Sequence, residues 1–152
     1  MTHSVISNSA EETQRVGEAW GREAQAGWII GLRGDLGAGK TQIVKGFARS
    51  LGIQGRVQSP TFGLVHEYSG GRLALFHIDL YRLENEEQIR RAGLEEYLYQ
   101  KSGVTIIEWV DRWAQLLPPA VRSAKGILWY RYVTIEQVGE SSRRIEYEDF
   151  GS

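Results

Sequence analysis

Cysteine is absent from this chain, and histidine and proline are scarce, with three of each among 152 residues. Without cysteine there are no disulfides and no cysteine–zinc sites, a composition that agrees with a reducing compartment such as the cytosol. The histidines are scattered along the chain, so we do not expect a metal site built from histidine. At this length the chain suits one domain, residues 1–152, which buries a sizeable core without metals or disulfides.

Long apolar runs and an excess of charge of one sign are also missing. Nowhere do 18 apolar residues follow one another, and the amino-terminal residues lack a basic and apolar leader. The formal net charge of −1 gives no overall attraction to nucleic acid. We therefore expect a soluble, cytoplasmic protein without a membrane role, in which any RNA contact depends on a partner protein.

The sequence does contain a glycine-rich segment, residues 34–41, that satisfies the pattern G-x-x-x-x-G-K-[ST]. This pattern is a P-loop, in which backbone N–H groups cradle phosphate, Lys40 reaches the β- and γ-phosphates and Thr41 offers a hydroxyl to Mg²⁺. An apolar strand at 28–32 leads into the loop, and apolar residues at helical spacing over 43–51 follow it. This context predicts a nucleoside triphosphate site rather than a glycine-rich turn that binds nothing.

The loop and the first turn of its helix are the predicted nucleotide-binding residues: Asp35, Leu36, Gly37, Ala38, Gly39, Lys40, Thr41 and Gln42. A strand, a loop and a helix in this order form the first unit of a parallel sheet. The sequence therefore predicts an α/β fold, a three-layer P-loop NTPase-like domain. We expect a mixed sheet, with a parallel core and antiparallel strands at the edges.

Apolar spacing and turn residues predict the remaining elements. They are, in chain order, a short strand at 5–6, a helix capped by Ser9 and Glu12 that ends near Gly27, a hairpin of strands 64–68 and 73–78, a helical stretch 84–100 interrupted at Gly93, a strand at 104–107, a short helix through Trp113 and Leu116, and an antiparallel pair at 127–138 and 143–148.

Two acidic residues follow apolar strands directly. Asp79 comes after the strand at 73–78, and Glu108 comes after the strand at 104–107. Ligands of parallel α/β sheets lie beyond the carboxyl ends of the strands, so these acids are candidates for Mg²⁺ and for the attacking water. Either acid could hold the metal through its water shell while the other orients water. The alternative for each is a helix cap or a surface acid.

Two residues near the predicted site have a functional and a structural interpretation. Thr61 follows Ser59 and Pro60 in the long connection where NTPases sense the γ-phosphate, or it stabilises a turn. Trp109 directly follows Glu108 and either stacks on the nucleobase or belongs to the core.

For four other polar residues we expect structural roles. His77 is expected to be a core histidine rather than a proton-transfer or metal residue. Arg82 is expected to form an ion pair, with phosphate or a partner as the alternative. Arg143 and Arg144 are expected to be solvated strand charges, with an RNA or partner surface as the alternative.

The motifs GDLGAGKT, SPTF, HIDLYRL and IEW, in this order and in a chain of this length, resemble the TsaE family, also called YjeE. The resemblance covers nearly the whole chain. It implies a bacterial ATPase that uses ATP and Mg²⁺ and acts with TsaD and TsaB. Their shared product is threonylcarbamoyladenosine, made beside the anticodon in tRNA. Contact with tRNA is implied only through the complex.

The resemblance also assigns roles to single residues. It implies that Lys40 holds phosphate and Thr41 holds Mg²⁺, while Asp79 and Glu108 serve the metal and the water. Lys40, Asp79 and Glu108 are thus the expected catalytic residues, and Thr41, Asp79 and Glu108 the expected metal ligands. Trp109 is implied to line the base site.

Three further positions bear on the resemblance. Thr61 is implied to belong to a switch-like loop. Gln42 and Val110 depart from the residues most common in the family, a second threonine and a proline, and the second departure leaves the conformation after Trp109 less certain.

Other functions share these motifs. A small-molecule kinase also uses a P-loop, Mg²⁺ and acids at strand ends, but no arginine-rich lid is evident in the sequence. A GTP-dependent switch is disfavoured because there is no [NT]-K-x-D motif to read guanine. A nucleotide-dependent partner-binding module without hydrolysis remains an alternative. Since no arginine finger is evident in the chain, we expect a weak ATPase that its partners stimulate.

Overall fold

The computed structural model describes residues 2–35, 37–54, 64–118, 120–123 and 126–151. Within these ranges the strands are β1 (Thr2–Ser7), β2 (Trp28–Gly34), β3 (Val65–Tyr68), β4 (Ala74–Asp79), β5 (Gly103–Glu108), β6 (Trp129–Gln137) and β7 (Arg143–Gly151). The α-helices are α1 (Ala10–Glu23), α2 (Lys40–Ser50), α3 (Glu86–Arg91) and α4 (Glu96–Tyr99). Short 3₁₀ helices cover Val110–Arg112, Ala114–Leu116 and Ala120–Ser123.

The strands form a 7-stranded mixed sheet in the order β1-β7-β6-β2-β5-β4-β3. Strands β6, β2, β5 and β4 are mutually parallel and form its centre. Strands β7 and β1 on one side, and β3 on the other, are antiparallel to their neighbours. The predicted parallel core with antiparallel edges is confirmed, as are the hairpins β3–β4 and β6–β7. The sequence did not predict that β6 joins the parallel core beside β2.

Helices cover both faces of the sheet and give the fold three layers. Successive strand residues point to opposite faces, so Ile29 and Ile30 enter two different core clusters. The cluster around Ile30 packs against α2 through Ile43 and Phe47. The cluster around Ile29 packs against residues of α3 and α4. None of the helices described here is long and apolar enough to cross a membrane.

The helix ends follow local signals in the sequence. Ser9 caps α1, because its side chain accepts a hydrogen bond from the backbone N–H of Glu12 at 3.0 Å, as predicted. The helix ends at Glu23, earlier than expected. Gly93 has a φ of 74° and separates α3 from α4, which confirms the predicted interruption. The short helix expected after β5 forms as 3₁₀ turns.

Candidate functional site

The carboxyl ends of three parallel strands bring the predicted site together. β2 leads into the P-loop, while β4 and β5 end on Asp79 and Glu108. These two acids are register partners on adjacent strands, and Glu108 is also the partner of Leu32 on β2. Residues at the same register of adjacent parallel strands project from the same face of the sheet. The structure therefore places both acids side by side next to the P-loop.

The P-loop is stabilised by its own lysine. Gly37 and Gly39 have φ values of 80° and 114°, which residues with a Cβ rarely adopt. Lys40 begins α2 and donates from Nζ to the backbone oxygens of Gly34 at 2.6 Å and Asp35 at 2.9 Å. Burial lowers the pKa of Lys40, although the nearby carboxylates oppose this shift. Lys40 is thus a desolvated cation inside the loop.

Glu108 lies at the centre of a buried polar cluster. Its side chain is almost fully buried, and its Oε2 accepts a hydrogen bond from His77 Nε2 at 2.5 Å. The Thr41 hydroxyl lies 3.3 Å from both carboxylate oxygens of Glu108. The cluster therefore joins the helix that follows the P-loop to two strands of the sheet.

His77 is a core histidine as expected, but it has a second role that the sequence interpretation missed. It is fully buried and contacts the acid that the sequence singled out. The carboxylate can only accept, so we assign the donated proton to Nε2. Its Nδ1 is buried without a hydrogen-bond partner among the described residues. Glu108 is thereby held in one orientation.

Asp79 is less buried and has a different environment. Its Oδ1 accepts a hydrogen bond from the backbone N–H of Tyr81 at 2.9 Å. Burial is the main cause that raises the pKa of Asp79, and the charge of Glu108 acts in the same direction. The Tyr81 hydrogen bond, His77 and Lys40 oppose the shift. The two acids are thus neighbours with unequal surroundings.

Trp109 lies beside Lys40 of the P-loop. Its φ of 60° is the one positive value among the described residues other than glycine. Lys40 Nζ lies 4.2 Å from the centre of its ring, and the Arg112 guanidinium carbon lies 5.2 Å from it. The expected stacking on a nucleobase stays a prediction, but the ring already contacts the lysine that would bind phosphate.

A cavity of about 780 Å³ opens above these residues, a volume typical of small-molecule sites. Asp79, Glu108 and Trp109 line it, together with loop and helix residues from the predicted set: Gly37, Gly39, Lys40, Thr41 and Gln42. Ala38 is buried, and the backbone oxygen of Asp35 accepts a hydrogen bond from Lys40 Nζ. Leu36 and Thr61, which the sequence also singled out, lie outside the described residues.

Part of the cavity wall was not predicted. It is formed by the segment 8–11 at the start of α1 and by Glu140, Ser141 and Arg143 of the β6–β7 hairpin. Ser142 Oγ donates to Asn8 Oδ1 at 3.0 Å and so links the two segments. Ser9 belongs to the predicted helix-capping pattern, but no local pattern shows that the hairpin folds back beside it.

The expectation that Arg143 is a solvated charge is wrong. Its Nε donates to the backbone oxygen of Ala38 at 2.9 Å, and its Nη2 lies 3.4 Å from that of Gly37. Arg144 fits the expectation better, since it is partly exposed and lies near Glu136 and Glu146.

Arg82 lines the cavity and is exposed. It forms no ion pair with a residue in the described ranges, so its expected ion pair is not found there. Its positive charge remains available at the mouth of the cavity, on the side of Asp79.

Comparisons with known proteins identify the family. The sequence profile described as "Threonylcarbamoyl adenosine biosynthesis protein TsaE" matches residues 7–145. The chain is 37% identical over 142 residues to the tRNA threonylcarbamoyladenosine biosynthesis protein TsaE of Bacillus subtilis, covering 93% of this chain and 82% of that protein. The TsaE of Treponema pallidum is 46% identical over 113 residues, covering 74% of this chain and 82% of its own length.

The fold has a counterpart among solved structures. The crystal structure of YdiB from Bacillus subtilis superimposes with a TM-score of 0.76 at 31% sequence identity, covering 97% of this chain and 84% of that chain. The profile match, the identities and the shared fold agree with one another, and the chain therefore belongs to the TsaE family.

Proposed function

We propose that this chain is a Mg²⁺-dependent ATPase that supports the formation of threonylcarbamoyladenosine in tRNA. The observation that carries the proposal is the position of Thr41 of the P-loop, whose hydroxyl lies 3.3 Å from both carboxylate oxygens of Glu108, the register partner of Asp79. A phosphate cradle, a hydroxyl and two acids in one cavity are the parts that ATP hydrolysis needs.

The site offers a few oxygen atoms rather than a complete set of protein ligands, and this suits Mg²⁺. In the described part of the chain, no group of three His, Cys, Asp or Glu side chains is placed to hold a metal. Mg²⁺ usually takes one or two protein oxygens and completes its shell with phosphate oxygens and water. Thr41 and Glu108 would hold it, with Asp79 acting through water. The ion would supply charge neutralisation on the phosphate oxygens.

Lys40 and His77 have complementary tasks in this proposal. Lys40 exchanges the carbonyl oxygens of Gly34 and Asp35 for phosphate oxygens when ATP binds, which requires only a rotation of its flexible side chain. His77 keeps Glu108 oriented from beneath. The remaining acid, Asp79, orients the attacking water.

The nucleoside would lie on the other side of the loop from Trp109. The Trp109 ring contacts Lys40, whereas the hairpin residue Arg143 contacts Gly37 and Ala38. The wall formed by segment 8–11 and the hairpin is therefore the part of the cavity left for ribose and base. In this arrangement Trp109 lies at the γ-phosphate end, and we propose this position in place of the predicted stacking on the nucleobase.

The biological task rests on family membership. The curated relatives carry the name tRNA threonylcarbamoyladenosine biosynthesis protein TsaE. We propose that this chain works in the same synthesis in the cytoplasm, that TsaD and TsaB are its partners, and that it meets tRNA only through them. The exposed charge of Arg82 and the half-buried Trp109 at the cavity mouth are features that a stimulating partner would contact.

The central experiment compares Glu108→Gln with Glu136→Gln, a matched change at an exposed glutamate on β6. Phosphate release from Mg-ATP is measured with the chain alone and with TsaD and TsaB, and ATP binding is measured by calorimetry. Glu108→Gln should bind ATP but lose about 100-fold in turnover, because the neutral amide is a weaker ligand for Mg²⁺ than the carboxylate. Glu136→Gln should behave like the wild type.

Three results would decide against the proposal. They are no phosphate release even with both partners, full turnover by Glu108→Gln, and transfer of the phosphate to a metabolite instead of water. The last result would establish the kinase alternative.

A further inference from the structure

The β6–β7 hairpin reaches the P-loop because of the strand order. β6 is parallel to β2, so its carboxyl end lies at the edge of the sheet where β2 enters the P-loop. β7 is antiparallel to β6, and its first residue, Arg143, pairs with Gln137 at that same edge. The sheet thus places an arginine from the far end of the chain beside the loop.

The guanidinium of Arg143 contacts consecutive carbonyl groups. Nε donates to Ala38 O at 2.9 Å, Nη2 donates to Gly37 O at 3.4 Å, and Nη1 donates to Ser142 O at 3.2 Å. A planar guanidinium presents its donors in a fixed fork, which suits two neighbouring acceptors. The contact is made to backbone atoms, so it constrains the path of the loop.

Holding a carbonyl oxygen also orients the N–H of the same peptide. In a trans peptide the C=O and N–H bonds point in opposite directions. Arg143 draws the Ala38 oxygen to one side, so the N–H of Gly39 is directed to the other. Gly39 and Arg143 both line the cavity, and P-loops bind phosphate through such N–H groups.

Two cations hold the loop, and they differ in what happens when nucleotide binds. Lys40 binds Gly34 and Asp35 oxygens, and in the proposed function it leaves them for phosphate. Arg143 binds the oxygens of Gly37 and Ala38, and in the proposed function it keeps these contacts when nucleotide binds. It is therefore the contact that keeps the loop in shape during binding.

We propose that Arg143 is a positioning residue of the nucleotide site. It orients the Gly39 N–H of the P-loop for phosphate binding and makes nucleotide affinity depend on the β6–β7 hairpin. The inference rests on the proposed function, since it concerns how the same site binds ATP.

The test compares Arg143→Ala with Arg144→Ala, the neighbouring arginine that lies near Glu136 and Glu146. Calorimetry with Mg-ADP and Mg-ATP gives the affinities. Arg143→Ala should weaken ADP and ATP binding about equally, by about 10-fold or more. Arg144→Ala should match the wild type.

Two further measurements separate positioning from a general loss of structure. Amide hydrogen exchange without nucleotide should become faster in Arg143→Ala over residues 37–41, while exchange in β2 and β5 stays the same. Arg143→Lys keeps the positive charge but lacks the two parallel donors of the guanidinium, so it should recover part of the nucleotide affinity. If Arg143→Ala does not fold, Arg143→Lys is the variant that tests the proposal.

The inference is overturned if Arg143→Ala binds ADP and ATP like the wild type, or if its loop exchange is unchanged. It is also overturned if only ATP binding is weakened, because Arg143 would then act on the γ-phosphate directly. If wild-type protein binds neither nucleotide, the proposed function fails, while the exchange experiment still tests the role of Arg143.

Discussion

Glu108 and Asp79 show how two adjacent carboxylates acquire different properties. Glu108 is almost fully buried and receives a hydrogen bond from His77. Asp79 is half-buried, and a backbone N–H is its hydrogen-bond donor. Groups of one chemical type in unequal environments are a common basis for a division of tasks in catalytic sites.

The raised pKa of Asp79 leads to a prediction for stability without nucleotide. Below the pKa that Asp79 has in the unfolded state, its carboxyl is protonated in both the folded and the unfolded protein and does not reduce the stability of the fold. As the pH rises through the folded-state pKa, the buried carboxyl ionises and the folded state loses stability. Asp79→Asn should therefore raise the melting temperature at pH 7.5 by a few degrees, with a smaller gain near pH 4.

The asparagine can keep the acceptor for the Tyr81 N–H, so the substitution tests charge rather than shape. Asp111→Asn, at an exposed position, is the control and should leave the melting temperature unchanged at both values of pH. A gain at Asp79 that is independent of pH would contradict the explanation. Turnover of ATP should fall in Asp79→Asn, since in the proposed function the charge of Asp79 orients the attacking water.

At the scale of elements, the close contact of α1 with α2 sets the position of the P-loop helix. A Cβ on Gly46 would lie 1.8 Å from the backbone oxygen of Gln14, and one on Gly17 would lie 2.1 Å from that of Ile43. The two helices thus approach with backbone against backbone, and α2 is held close to the sheet that carries the acids.

Gly46→Ala should destabilise the protein by about 2 kcal/mol. The new methyl group forces the helices apart, and this outweighs the roughly 1 kcal/mol that alanine gains over glycine in a helix. Urea unfolding gives the value. Gly139→Ala is the control, because its Cβ would meet Ser142 atoms at ordinary contact distances, 3.5 Å or more. Equal stability of the two variants would refute the close-contact explanation.

At the scale of the whole molecule, Arg131 joins distant parts of the chain. It lies on β6 and is almost fully buried. Its guanidinium binds both carboxylate oxygens of Asp149 on β7, at 2.7 and 2.9 Å, and Glu23 at the end of α1, at 2.9 Å. The Tyr147 and Trp20 rings lie 4.4 and 5.0 Å from it. The antiparallel edge of the sheet is thereby linked to α1.

Arg131→Met should lower the free energy of unfolding by about 3 kcal/mol, because Asp149 is left partly buried without its partner. Methionine keeps much of the apolar packing, so the loss reports the ionic contacts. Arg91→Met removes an exposed ion pair within α3 and should change stability by less than about 0.5 kcal/mol. Chemical denaturation of both variants provides the comparison. Wild-type stability of Arg131→Met would show that the cluster contributes only packing.

The sequence by itself determined the P-loop, the elements around it and the two acids at strand ends. These features are local. The glycine spacing, the periodic spacing of apolar residues and the position of an acid after a strand each involve residues that are close together in the sequence. The parallel core also followed from local information, since a strand, loop and helix in succession imply a parallel neighbour.

Only the tertiary structure decided which distant side chains complete the site. His77 and Glu108 are 31 residues apart in sequence, and Arg143 and Ala38 are 105 apart. Both contacts depend on the order of strands across the sheet, which no local pattern records. The position of Trp109 beside Lys40 has the same origin. Side chains that meet across a sheet interact because of how the chain folds back, and that is why the motifs alone did not reveal them.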